Sequence, residues 1–156
     1  TIKQKSEMKK TIISLIFFLF STLLYAQKQL SKTEQSVQQT VVKLFEALSN
    51  RDSVSLKNYS TADITLYEYG QIWNVDTLIM KAVTLNQAAD FKRINTFDFI
   101  NTTTDKTTAW VTYRLLSAIT RDGKQSTVQW LETVVLAKEK KQWKVKHLHS
   151  TLIKRG

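Results

Sequence analysis

The chain has 156 residues, no cysteine, no proline and three glycines. This composition suits a single domain, and it excludes disulfides, thiolate chemistry, cysteine-bound zinc and low-complexity repeats. The formal net charge of +10 raises nucleic acid as a partner, but four of the lysines precede residue 27 and the remaining cations are scattered. We therefore expect no nucleic-acid partner.

The N-terminal stretch has the pattern of a secretory signal peptide. Met8 and two lysines precede an apolar run, and the small residue Ala26 closes it. The run is shorter than the roughly 20 residues that cross a hydrocarbon core. We predict cleavage after Ala26, export to the periplasm or the extracellular space, and no stable membrane anchor afterwards. Residues 1–7 are expected to precede the true start at Met8, and an uncleaved signal anchor is the alternative for residues 1–26.

The mature part, residues 27–156, is predicted to form one domain, with three helices in its first half. Ser31 and Glu34 have the spacing of a capping box, so a first helix should begin there and end near Asn50. A short second helix is predicted from Asp52 to Tyr59, and a third over residues 75–88. The apolar stripe of the first helix consists of Val37, Val41, Leu44, Phe45 and Leu48.

The rest of the chain is predicted to be β-structure. Residues 60–63 should break the chain before a first strand over residues 64–69, and Gly70 marks a turn. Four longer strands are predicted at 91–103, 107–120, 126–138 and 142–153. Helices followed by consecutive antiparallel strands predict an α+β domain, with the helices packed on one face of a curved, mainly antiparallel sheet. This order excludes a Rossmann-type parallel sheet.

The last two strands are predicted to bring a carboxylate beside an imidazole. The period of two places His147 and His149 on one face of the last strand. A two-residue turn at Lys140 and Lys141 would pair Glu139 with Gln142, so that His149 lies opposite Glu132 and His147 lies opposite Val134.

A carboxylate next to an imidazole can exchange protons near neutral pH, which makes Glu132 and His149 the candidate catalytic residues. The alternative is that both histidines fill structural positions in the sheet. Two histidines and one carboxylate also match a facial metal triad, but no further ligand lies at close spacing. We expect neither a metal nor a cofactor, because GxGxxG, Walker A, GxSxG and HExxH patterns are absent as well.

Arg114 and the tryptophans are the other candidate ligand contacts. Arg114 lies in an apolar strand, where an inward guanidinium would need an acidic partner or a ligand, whereas an outward one would be solvated. Trp110, Trp130 and Trp143 could stack on a ring, or pack in the core or a dimer interface. The candidate ligand-binding residues are Arg114, Trp130, Glu132, His147 and His149.

Three stretches resemble a known family: the turn at residues 70–73, the strand at 109–115 and the segment from Glu132 to Ser150. Together they resemble the nuclear-transport-factor-2-like superfamily, specifically its SnoaL-like branch, over most of residues 33–153. They are also similar to the association domain of calcium/calmodulin-dependent protein kinase II. The resemblance implies a cone-shaped domain with a pocket open at one end, often dimerising through the outer sheet face.

The resemblance also bears on the site. The association domain lines its pocket with arginines, and Arg114 falls at one such position, while Val134 and Ser150 stand at others. SnoaL-like cyclases and ketosteroid isomerases use a pocket carboxylate to move a proton next to a carbonyl, but their catalytic aspartate matches no position here.

Three hypotheses for function follow. The first is an exported pocket protein that binds a small, partly apolar ligand, with an acidic ligand as one option and proton transfer as the only chemistry. The second is a non-catalytic homodimeric module that binds itself or a protein through the sheet. The third is polyanion binding through the cations between Lys138 and Lys146.

Overall fold

A computed structural model describes residues 29–156. The predicted signal peptide lies outside these residues, so its cleavage and the export of the chain stay predictions. Within the described part, no helix is long and apolar enough to cross a membrane.

Two helices open the domain, α1 (Lys32–Ser49) and α2 (Ser53–Tyr59). A third, α3 (Val75–Ile79), follows the first two strands and continues into a π-helical turn (Met80–Thr84). The capping box of α1 is confirmed, because Ser31 Oγ accepts from Glu34 N and Glu34 Oε2 accepts from Ser31 N. The predicted second helix is confirmed with Asp52 as its N-cap.

The third helical segment ends at Thr84, whereas the sequence predicted that it would reach Ala88. Beyond the π-helical turn, Arg51 Nη1 donates to the carbonyl oxygens of Asn86 and Ala88 at 2.9 and 3.1 Å. These carbonyls therefore have a partner outside any helix, which explains why the chain can leave the helical conformation early.

Six strands form one sheet in the order β2-β1-β6-β5-β4-β3. The pairing is antiparallel throughout except between β1 and β6, so the predicted mainly antiparallel sheet is confirmed. The strands are β1 (Ser60–Glu68), β2 (Gln71–Trp73), β3 (Lys92–Thr104), β4 (Thr108–Arg121), β5 (Lys124–Glu139) and β6 (Gln142–Arg155).

The start of the sheet differs from the prediction. The break predicted at residues 60–63 is wrong, because Ser60 already pairs with Val145 of β6 and opens β1. The turn at Gly70 is confirmed: Tyr69 and Gly70 both have positive φ, which is the geometry of a tight hairpin, and the short strand β2 follows.

One face of the sheet packs on α1 and forms the core. The stripe predicted on α1 is confirmed, since Val37, Val41 and Leu44 are almost completely buried. Alternate residues of β4 and β5 meet it, among them Val111, Tyr113, Leu115, Val134 and Leu136. We call this the inner face of the sheet, and the opposite side the outer face.

Strand β6 contains two β-bulges that decide which side chains reach the inner face. Leu136 pairs with Val145, but the next residue of β5, Val135, pairs with His147, so Lys146 is an extra residue. A second shift between Gln129 and Trp130 makes Ile153 extra as well. One inserted residue exchanges the faces of all residues that follow it.

Candidate functional site

A cavity of about 720 Å³ lies between the helices and the inner face of the sheet. Helix α1, the α3 segment and strands β1 to β6 all contribute to its lining, and much of the wall is apolar. Its apolar side chains include Leu44, Leu48, Leu66, Phe91, Ile119, Val128 and Leu148. Its volume falls in the range of small-molecule sites.

Glu68 is one of two glutamates that line the cavity and have a raised pKa. It closes strand β1, where Ile64, Leu66 and Glu68 alternate toward the inner face. Burial raises the pKa of Glu68 to about 7, the negative charge of Glu132 adds to the rise, and Ser150 and Arg93 oppose it. A carboxyl group with this pKa can both accept and donate a proton at neutral pH.

Glu132 is the second acid of the cavity and is 3% exposed. Its Oε1 accepts a hydrogen bond from Ser150 Oγ at 2.9 Å, whereas its Oε2 has no hydrogen-bond partner among the described residues. Burial raises the pKa of Glu132, and interactions with Tyr113, Ser150 and Arg93 oppose this rise. Burial therefore favours the protonated form of this side chain.

Tyr113 lies directly opposite Glu132 on β4 and is fully buried. Its hydroxyl also has no hydrogen-bond partner of normal geometry within residues 29–156. Burial, with the charge of Glu132, raises the pKa of Tyr113 well above its ordinary value. The hydroxyl therefore stays protonated, and it lies with Glu132 on the inner face of the sheet.

Arg93 supplies a positive charge next to the two glutamates of the cavity. The Cζ atom of its guanidinium lies 5.5 Å from the ring centroids of both Phe45 and Trp130. Its Nε donates to Asn95 Oδ1 at 2.9 Å and to Ser117 Oγ at 3.2 Å. Burial lowers the pKa of Arg93, and both glutamates counteract this effect. The side chain is thus held rigidly, with both Nη atoms free of hydrogen bonds to the described residues.

The entrance of the cavity is rich in cations. Lys81, Arg121, Lys124 and Arg155 line it, whereas Asp122 is the acid among the exposed lining residues. Arg155 reaches the inner face because of the second bulge of β6, and its Nη2 donates to the Tyr69 hydroxyl at 2.9 Å.

The predicted pairing of Glu132 with His149 is wrong. Glu139 does pair with Gln142, as predicted, but the bulge at Lys146 then sets Ser150 opposite Glu132 and Thr133 opposite His149. Both histidines therefore lie on the outer face, where Thr65 Oγ1 is 2.7 Å from His147 Nδ1 and the Tyr67 ring packs edge-on against both imidazoles. Glu132 lies on the inner face, and neither histidine does.

Arg114 and Trp130, the other predicted ligand contacts, lie on opposite faces. Arg114 is on the outer face, where its Nη1 is 3.3 Å from Asp98 Oδ2 and its side chain is largely exposed, so the inward position suggested by the resemblance is wrong. Trp130 lines the cavity, as does Glu132. No group of three or more histidine, cysteine or acidic side chains among residues 29–156 could hold a metal ion.

Sequence reasoning missed Glu68 and Arg93. For Glu68 a signal existed, because the predicted strand at 64–69 places it on the same face as Ile64 and Leu66. For Arg93 the alternation with Asn95 and Phe97 gave a similar indication.

Comparisons with known proteins agree with this architecture. A family model described as a SnoaL-like domain matches residues 37–153. No curated protein matches the sequence. The chain is similar in structure to a ketosteroid isomerase-like protein from Erwinia carotovora atroseptica, with 14% identity, a TM-score of 0.65 and coverage of 80% of this chain and 99% of that one.

Two further solved structures extend the comparison. The hub homology domain of calcium/calmodulin-dependent kinase II from Chlamydomonas reinhardtii has 22% identity and a TM-score of 0.70, with 79% of this chain and 100% of that one covered. A nuclear-transport-factor-2-like protein from Cytophaga hutchinsonii has 18% identity and a TM-score of 0.65, with 80% and 100% covered. At these identities the likeness establishes the cone fold.

Proposed function

This chain belongs to the family of SnoaL-like domains, and we propose that its cone cavity binds a small, partly apolar molecule with which Glu68 exchanges a proton. The observation that carries the proposal is the placement of Glu68 and Arg93 in one cavity of about 720 Å³. The apolar walls would hold the body of the ligand, and the guanidinium would orient an oxygen atom of it.

The chemistry follows from the environment of the acid. A general acid or base works best when its pKa lies near the working pH, and burial together with Glu132 brings the pKa of Glu68 to about 7. Arg93 would stabilise negative charge that develops on the ligand when a proton leaves it. Structural neighbours that include ketosteroid isomerase-like proteins support a proton-transfer reaction.

Indole N–H signals in a nitrogen-15 NMR spectrum can test the binding site. Trp73 and Trp130 line the cavity, whereas Trp110 is exposed on the outer face and serves as the internal control. We expect hits from a panel of ring ketones, alcohols and carboxylic acids to shift the first two signals and leave the Trp110 signal in place. A panel without hits, or hits that shift Trp110 alone, would contradict the proposal.

Proton transfer is tested separately in D₂O. Ligand hydrogens next to a carbonyl should exchange with solvent faster in the presence of the protein, and Glu68→Gln should remove this effect while the indole shifts persist. Asp98→Asn is the matched control, because Asp98 is an exposed acid on the outer face. Exchange that continues in Glu68→Gln would assign the proton to another group.

The second candidate function is self-association through the outer face. Trp110, Leu116, Leu131 and Ile153 are exposed there, and the similarity to a kinase hub domain points the same way. Sedimentation velocity should show a homodimer that Leu131→Glu dissociates. Leu85→Glu, an exposed apolar position off the sheet, is the control and should leave the dimer intact. A monomer at all concentrations would end this candidate.

We also propose that the domain works after export, with cleavage following Ala26. Expression from Met8 should then yield an extracytoplasmic protein whose N-terminal sequence begins at Gln27. A product that keeps Met8 and stays with the membrane would support the signal-anchor alternative.

A further inference from the structure

The guanidinium of Arg93 has the properties of a prepared anion receptor. Hydrogen bonds from Nε to Asn95 and Ser117 orient it, and the rings of Phe45 and Trp130 each lie 5.5 Å from its Cζ atom. Neither Glu68 nor Glu132 forms an ion pair with it. Both Nη atoms are therefore available, and a planar fork of N–H donors matches the two oxygens of a carboxylate.

The charge balance of the cavity also favours an anion. Burial raises the pKa values of the two inner acids, Glu68 and Glu132, and so favours their neutral forms. The positive charges of Arg93 and of the four cations at the entrance then exceed the negative charge of Asp122. A cleft lined by one sign of charge concentrates ligands of the opposite sign.

The apolar wall of the cavity determines the chemical character of the rest of the ligand. Apolar side chains such as Leu48, Phe91 and Leu148 need an apolar body, and the cavity has room for one. A single buried cation suits a monoanion better than a doubly charged phosphate, whose second charge would lie near the two glutamates.

We propose that the ligand of this cavity is an amphipathic monocarboxylate, which binds with its carboxylate on the Nη atoms of Arg93 and with Glu68 protonated. The inference rests on the proposed function, because it names the class of molecule that the same cavity takes. Entry would pass the cations Lys81, Arg121, Lys124 and Arg155.

Proton uptake follows from the geometry. A ligand carboxylate bound to Arg93 places a negative charge near Glu68, in addition to that of Glu132. A nearby like charge favours the neutral form of an acid, so ligand binding should add a proton to Glu68. The other titratable or charged groups around the cavity are Tyr69, Lys81, Arg93, Tyr113, Arg121, Asp122, Lys124, Glu132 and Arg155. Among these, Glu132 and Arg93 act most directly on Glu68.

Calorimetry with octanoate and its neutral isostere octanamide tests the inference. We expect octanoate to bind about 10- to 100-fold more tightly at pH 6, as charge-assisted hydrogen bonds to a guanidinium predict. Between pH 6 and pH 8 the affinity for octanoate should fall about tenfold, because the pKa of Glu68 is about 7 and the deprotonated form repels the ligand. The affinity for octanamide should change little.

Three variants locate the effect. Arg93→Met should remove the preference for octanoate and keep octanamide binding, and Arg93→Lys provides a folded alternative in which the preference falls. Glu68→Gln should keep octanoate binding and lose its dependence on pH. Arg114→Met, which removes a guanidinium from the outer face, is the matched control and should behave like the unchanged protein.

The outcomes separate this inference from the proposed function. Equal affinities for octanoate and octanamide, or a preference that Arg93→Met and Arg93→Lys retain, would overturn the carboxylate assignment while the pocket stands. Affinity for octanoate that does not change with pH would overturn the protonation of Glu68. Binding of neither probe, together with an indole-shift panel without hits, would overturn both.

Discussion

Arg93 and Arg114 lie on neighbouring strands but on opposite faces of one sheet. Arg93 contacts two aromatic rings and donates hydrogen bonds to Asn95 and Ser117, whereas the largely exposed Arg114 approaches only Asp98, at 3.3 Å. A solvated ion pair contributes little to stability and imposes little order. A buried guanidinium interacts more strongly with the charges near it, so Arg93 affects both the structure and the electrostatics of its surroundings.

The acidic residues of the inner and outer faces show the same contrast. Glu68, on the inner side, has a pKa of about 7, and burial also raises the pKa of Glu132. On the outer side, Asp98 and Asp63 are solvated and each approaches a cation. The two faces therefore differ less in residue type than in access to water, and this difference locates the candidate chemistry on the inner face.

The largest expected effect tests which residues of β6 face inward. Leu148 is 2% exposed and its neighbour His149 is exposed, so the alanine variants should differ strongly. Leu148→Ala should lower the free energy of unfolding by about 2–4 kcal/mol, because it removes buried methyl groups and leaves a cavity. His149→Ala should change it by less than about 0.5 kcal/mol. Urea denaturation measures both, and similar losses would contradict the assignment of Leu148 to the inner face and His149 to the outer face.

The next effect is a change in stability with pH. The pKa of Glu68 rises from 4.5 to about 7 on folding, so the folded protein binds more protons between these pH values and loses stability as pH rises through this range. Glu68→Gln removes that loss. A shift of this size corresponds to about 3 kcal/mol, and partial exposure of the side chain reduces it to roughly 1–2 kcal/mol.

The stability that Glu68→Gln gains over the unchanged protein should be present at pH 8 and absent at pH 4.5. Urea denaturation at both pH values measures it. Asp98→Asn, on the outer face, should give no comparable difference between the two pH values. A Glu68→Gln protein that is less stable than the unchanged protein at pH 8 would contradict the raised pKa.

The sequence predicted the architecture well because most of its signals are local. The capping box at Ser31, the stripe on α1 and the turn at Gly70 each follow from neighbouring residues, and the structure contains them all. The sheet order was not predicted, since the parallel pairing of β1 with β6 joins segments that are distant in the chain.

The candidate site was predicted only in part, for a physical reason. One extra residue in β6, Lys146, exchanges the faces of the strand, and no glycine or proline marks it. Its side chain reaches Asp63 of β1 at 2.7 Å, a contact between residues 83 positions apart. Periodicity therefore placed His147 and His149 on the wrong face, whereas Glu132 and Trp130, on the regular strand β5, were placed in the cavity.

The smallest expected effect concerns His147 on the outer face. Partial burial lowers the pKa of His147, and the nearby His149 contributes a smaller part. The ring signal of His147 in NMR should therefore titrate below pH 6.5, and His149→Ala should move its midpoint upward by less than the shift that burial causes. Glu68→Gln should leave the midpoint in place, because Glu68 lies on the inner face. If Glu68→Gln moved this midpoint as much as His149→Ala does, the two faces would be coupled and the contrast between them would be weaker than the structure indicates.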